Sequence, residues 1–154
     1  MPSPFKYYEV TPRQARKIFG NHGWTRVVGF HTRNVAHRVH EFIQRLALQN
    51  HDCDGLFIHP LVGPKKQGDF NADIILKSYE VVLKKYYPQR KYFLAAFQTY
   101  PRYAGPREAV FTALCRKNFG CSHFIVGRDH SGVGQYYDPD AAHRLFESLG
   151  PLGI

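Results

Sequence analysis

Short apolar runs alternate with longer segments of helical spacing along almost the whole chain, and this alternation constrains the fold more than any other feature. Arg26-Val27-Val28-Gly29-Phe30 reads as a buried strand, and Ala36, Val39, Phe42, Ile43, Leu46 and Ala47 then recur at helical spacing as far as about Asn50. The cycle repeats with a strand at Gly55-Leu56-Phe57-Ile58-His59, a Gly/Pro/Lys loop over 60–68, and a helix over 69–87 striped by Ile75, Tyr79, Val82, Leu83 and Tyr86. A third strand is expected over 91–97, and Pro106 and Glu108 open a helix carrying Val110, Ala113 and Leu114. Ser122-His123-Phe124-Ile125-Val126 is a last strand, and residues 140–149 form a final short helix. Ahead of all this, Thr11 is placed as an N-cap, Pro12 takes the first helical position and Gln14 closes a capping box. Ala15, Ile18 and Phe19 share one face of that helix, and Gly20 is expected to end it.

Strands separated by helices of this length make βαβ units, so the fold class is α/β: a Rossmann-like parallel sheet with helices on both faces and right-handed crossovers. The 154 residues suit one domain, read over 1–154. The pattern leaves strand order open. Such sheets bind ligands at the carboxyl ends of their strands, in the loops that enter the next helices.

Lys and Arg number 21 against 12 Asp and Glu, a net charge of +9, which favours anionic partners. The hydrophobic share of 44% and charged share of 21% exclude an intrinsically disordered chain. No apolar run approaches the roughly 18 residues of a membrane span, and the first residues lack the apolar core of a signal peptide, so a cytoplasmic protein without a membrane partner is expected. Cys53, Cys115 and Cys121 form no Cys-x-x-Cys pair, which argues for reduced thiols rather than a disulfide framework or a zinc site.

Four basic, glycine-punctuated loops follow the four strands. The first, His31-Thr32-Arg33-Asn34-Val35-Ala36-His37-Arg38-Val39-His40, precedes a helix, whose free N–H groups and dipole favour phosphate. His37 and His40 share a helical face, and Arg33 adds a fork suited to oxyanions. These residues are compatible with a phosphate site, a solvated basic helix start or a metal pair, although no carboxylate or thiol completes a ligand set. The second loop carries His59, Lys65 and Lys66; the third carries Arg102, Pro106 and Glu108, the last two suited to capping. The fourth runs Gly127-Arg128-Asp129-His130-Ser131-Gly132-Val133-Gly134 and is not a Walker A sequence. All four are expected to converge on one rim.

Taken in order, these motifs resemble the catalytic domain of the ATP sulfurylase (sulfate adenylyltransferase) family. The resemblance runs through Thr32-Arg33-Asn34 with His37-x-x-His40, Ile58-His59-Pro60-Leu61-Val62-Gly63, Arg102 with Ala104-Gly105-Pro106-Arg107-Glu108-Ala109, and Arg116-Lys117-Asn118-Phe119-Gly120 leading into residues 123–130. It implies a nucleotidyltransferase with an H-x-x-H signature, in which sulfate attacks the α-phosphorus of ATP to give adenylyl sulfate and pyrophosphate, with Mg²⁺. It also implies roles. His37 and His40 would hold the nucleotide phosphates and stabilise the transition state, Arg33 and Asn34 would orient phosphate and acceptor, and Arg102 would position the reacting groups. Thr32, His59, Gly127, Arg128, Asp129 and His130 would bind the nucleotide, and His31, Arg33 and Ala104 the acceptor. An acceptor that is already an anion needs no general base, so catalysis reduces to bringing two anions together and spreading charge.

The chain departs from the family pattern at three points. His31 stands where the family has Gln, Val35 where it has Pro, and the family's N-terminal domain and later catalytic-domain sequence have no counterpart in residues 1–154. Sulfate is the default acceptor, with phosphonate (used with CTP), phosphate or sulfonate as alternatives that His31 leaves open. A nucleotide-binding paralogue without turnover, or one piece of a split enzyme whose partner chain supplies the rest, is the rival reading. A homo-oligomer is a further expectation. Nucleic acid is not expected as a partner, because no aromatic-basic platform is present.

Overall fold

The computed structural model describes residues 4–50, 53–128, 130–132 and 134–154. Thr11 caps α1 (Pro12–Asn21) through a complete capping box with Gln14, as the sequence predicts. The helix passes through Gly20, however, and stops at Gly23. There φ is +73°, and the Gly23 and Trp24 N–H groups bond back to the Gly20 and Phe19 carbonyls in a Schellman arrangement.

Four strands follow: β1 (Val27–Thr32), β2 (Gly55–Pro60), β3 (Tyr92–Leu94) and β4 (His123–Phe124). All pair in parallel, in the order β3-β2-β1-β4. Between them lie α2 (Arg38–Asn50), α3 (Ala72–Tyr86) and α4 (Pro106–Phe119), and α5 (Ala141–Leu149) packs along α4. The third and fourth strands are shorter than predicted. β3 gives way to single bridges at Ala96, with Glu9, and at Phe97, with Leu61.

Period-two alternation sorts the sheet residues onto two faces. Val28, Phe30, Leu56 and Ile58 point to one side, against Ile75, Tyr79 and Leu83 of α3 and the partly buried Ile43 and Ala47 of α2. Val27 and Phe57 point to the other, against Ala15 and Phe19 of α1 and Phe119 of α4. By the same parity His31 and His59 lie on the α4 side, and they are partners in the β1–β2 register. Gly29 lets α4 approach, since a Cβ there would lie 2.9 Å from the Arg116 Cγ.

The apolar stripe expected on α2 is only half used. Val39 and Phe42 are 62% and 66% exposed, and Leu46 is exposed as well, while the core side is made by Ile43, Ala47 and the buried Gln44, whose amide oxygen accepts from the Tyr87 hydroxyl at 2.6 Å. Tyr86 and Leu114, also placed on apolar stripes, are exposed too. On α4 the inward face belongs to Ala109, Thr112, Ala113, Arg116 and Phe119. None of the helices of the described residues is long and apolar enough to cross a membrane.

Candidate active site

The strand order reverses between β1 and β4, where the helices following the two strands diverge and leave a crevice at the carboxyl edge. A cleft of about 150 Å³ occupies this point. It is lined by His31, Thr32, Arg33 and Asn34 from the end of β1, by His40 and Ile43 from α2, and by Gly127, Arg128, His130 and Ser131 from the loop after β4. The loops after β2 and β3 contribute only Leu61 and Pro101.

Local bonding explains how these groups are held. Thr32 ends the strand, and its hydroxyl accepts from the Asn34 N–H at 3.0 Å, turning the chain toward α2. The Ala36 N–H is taken by the Ser78 hydroxyl, so α2 starts at Arg38 rather than at Ala36, and His37 precedes the helix. Arg33 reaches across the cleft. Its Nη2 donates to the Gly132 carbonyl at 3.0 Å and its guanidinium lies 4.9 Å over the Tyr103 ring, while Nη1 is buried with no partner among the described residues. Tyr103 is held in turn by its hydroxyl, which donates to Asp69 at 2.8 Å and accepts from the Lys66 N–H.

The ring nitrogen Nδ1 of His40 lies 3.0 Å from the Tyr79 hydroxyl, and its ring stacks on His37 at 3.7 Å between centroids. Burial first, then the neighbouring His37, brings its pKa down to about 4. The His130 ring is pushed down to about 4 as well, by burial and then by Arg116 and Arg33. His31 is held well below 6.5 by burial and then by Arg116. The cleft therefore presents neutral imidazoles beside permanently charged arginines. Among the described residues its lining holds no carboxylate, and no group of three His, Cys, Asp or Glu could hold a metal ion. The described lining does not fit a protein-held Mg²⁺, which needs carboxylate or phosphate oxygens.

Several residues singled out in the sequence lie elsewhere. His37 is exposed and borders a separate groove of about 770 Å³ between α2 and α3. His59 is fully buried among Phe57, Phe97 and Phe119, with neither ring nitrogen in good hydrogen-bond geometry with a described residue. The Arg102 guanidinium stacks over Tyr100 and Phe111 instead of entering the cleft. Ala104 contributes its N–H to the buried Glu108 carboxylate, which also accepts from the Arg102 N–H. Glu108 thus pins the loop before α4 in place and does more than complement a dipole. Asp129 lies outside the described residues. Sequence reasoning passed over Arg116 and Tyr103. Arg116 was legible, because it falls on the same helical face as Ala109, Ala113 and Phe119. Tyr103 carried no signal, as its role depends on contacts with residues 34 to 70 positions away.

Residues 6–154 match the family model described as ATP-sulfurylase. The chain belongs to the ATP-sulfurylase family. Curated relatives named sulfate adenylyltransferase include one from Symbiobacterium thermophilum, 54% identical over 99% of this chain, and one from a Synechococcus species, 52% identical over 99%. The chain spans 39% of the length of each. Among solved structures, the one titled "Hexameric APS kinase from Thiobacillus denitrificans" superposes with a TM-score of 0.69 at 27% identity, over 97% of this chain and 28% of that one.

Proposed function

We propose that the 154 residues form a nucleotidyltransferase unit that uses the cleft between β1 and β4 to join the adenylyl group of ATP to sulfate. An oxygen of sulfate forms a bond to the α-phosphorus, the bond from that phosphorus to the bridging oxygen breaks, and pyrophosphate leaves. The acceptor oxygen already carries charge, so no proton need be removed, in keeping with a cleft of neutral histidines and, among the described residues, no carboxylate. The observation that carries this reading is the buried Nη1 of Arg33, unpartnered among the described residues, in a cleft whose described lining holds no carboxylate, a donor that an oxyanion would satisfy. Membership of the ATP-sulfurylase family supports it.

In this reading Arg33 and His31 face the acceptor, and Asn34, His40, Arg128 and His130 face the nucleotide. His37 acts at most through its stacking on His40, and His59, Arg102 and Ala104 support the loops from behind. Mg²⁺ enters with the phosphates of the nucleotide rather than on ligands of the protein.

The test is pyrophosphate release by the purified chain with Mg²⁺, pairing ATP or CTP with sulfate, phosphate, a simple phosphonate or no acceptor. Release that requires ATP and sulfate together is expected. Release with CTP and a phosphonate would reassign the acceptor. Nucleotide binding without release under any pairing would favour a non-catalytic or partner-completed site.

A further inference from the structure

We propose that Arg116 is a positioning residue of the anion site, fixing His31 as a neutral Nε2–H donor at the wall of the cleft. The inference rests on the reading of that cleft as an oxyanion site. Arg116 is fully buried on the inward face of α4. Its Nη2 donates to the His59 carbonyl at 2.7 Å and lies 2.8 Å from Nδ1 of His31. Nη1 makes a longer bond to the Thr112 carbonyl, and the Phe97 ring lies 4.2 Å from the guanidinium carbon.

A guanidinium can only donate, so Nδ1 of His31 must accept. An imidazole that accepts at one nitrogen carries its proton on the other. The single donor left to His31 is therefore Nε2–H, and His31 lines the cleft next to Arg33. Protonating the ring would cost the bond to Arg116. The described groups facing His31 oppose protonation too: Arg116 from α4, His59 from β2, His130 from the loop after β4, and Arg33 from its own loop, with no carboxylate among the described residues.

A second observation points to an anion. Arg116 stays cationic, burial bringing its pKa down only to about 10, yet it forms no ion pair among the described residues. A buried cation without a counter-charge is costly. An oxyanion bound against His31 and the free Nη1 of Arg33 brings a negative charge next to it.

The tautomer is read directly by NMR of the unmodified chain with ¹⁵N-labelled histidine, without substrate. His31 is expected to show Nδ1 unprotonated and Nε2 protonated throughout about pH 5.5 to 8, the range over which an ordinary histidine titrates. An Nδ1–H tautomer, or titration near the ordinary value, overturns the proposal. Calorimetric titration of inorganic sulfate in the presence of ATP then tests the consequence. Arg116→Lys, which keeps a charge but not the two-bond geometry, is expected to weaken sulfate by about tenfold, the loss of one charged hydrogen bond. ATP affinity should hold. His31→Gln offers an acceptor and a donor in one amide, so it should retain sulfate and still respond to Arg116→Lys. His31→Leu should lose sulfate and make Arg116→Lys silent. Sulfate affinity that ignores Arg116→Lys in the parent overturns the proposal. A chain that binds no sulfate refutes the reading of the cleft, while the His31 tautomer still upholds or refutes the role of Arg116.

Discussion

The loops after all four strands are basic, and all but the one after β1 carry glycine and proline, yet among the described residues only the loops after β1 and β4 bring polar side chains to the cleft. Strand order makes the difference. β1 and β4 are neighbours across the point where the sheet reverses, so their loops diverge around a crevice. The β2 loop, with Lys65 and Lys66, opens instead onto a groove with Phe70 and Gln98. Apart from Leu61 it reaches the cleft only indirectly, through the Tyr103 ring, against which Lys66 and Arg33 both lie. Basic residues thus divide into those that can meet a ligand and those that hold the first group in place.

Substituting from each group sharpens that division. Arg33→Ala removes the free donor in the cleft and is expected to lower turnover by about a hundredfold, the scale for losing one donor to a developing or bound oxyanion. Steady-state pyrophosphate release measures it, and a loss no larger than that of Lys66→Ala would erase the distinction between the loops. Lowering the pH acts on the cleft histidines. His40 and His130 keep folded-state values near 4, against an unfolded value of 6.5. Between these limits the unfolded chain binds more protons, so stability is fully present above about pH 6.5 and falls as the pH drops toward 4. Urea unfolding across that window should show the decline, and a flat profile would mean that the two rings are solvated.

Glu108→Gln tests the supporting side. It replaces a buried carboxylate that accepts from two loop N–H groups with an amide, and the expected cost is about 1–3 kcal/mol of unfolding free energy, read from urea titration. The smallest effect is expected at His59, whose buried ring nitrogens have no well-formed hydrogen bond among the described residues. His59→Leu should leave ATP affinity unchanged and stability equal or higher, since removing an unsatisfied polar group offsets the lost packing. A large drop in ATP affinity would restore His59 to the nucleotide site.

The division was only partly legible in the sequence. The βαβ alternation, the Thr11 capping box and the four strands could be read from local spacing, because each is decided within a few residues. Gly20 is the expected helix stop and Gly23 the observed one, since periodicity alone cannot tell which glycine takes the left-handed conformation. The convergence of all four loops was expected without the strand order, which depends on contacts between distant segments. His59 and Arg102 look like ligand groups in a linear motif. What sets their roles is the packing of Phe57, Phe97 and Phe119 around the one, and of Tyr100 and Phe111 under the other. That His31 and Arg33 line the cleft was legible from their place at the end of β1, whereas the charge behind His31 comes from Arg116, 85 positions away.

The most direct test of the account is a crystal of the chain soaked with ATP and selenate, an oxyanion shaped like sulfate whose selenium scatters anomalously. An anomalous peak within hydrogen-bonding reach of the Arg33 guanidinium and the His31 ring is the predicted result. Bound nucleotide with selenate at Lys65 and Lys66, or with no selenate in the cleft, would contradict it.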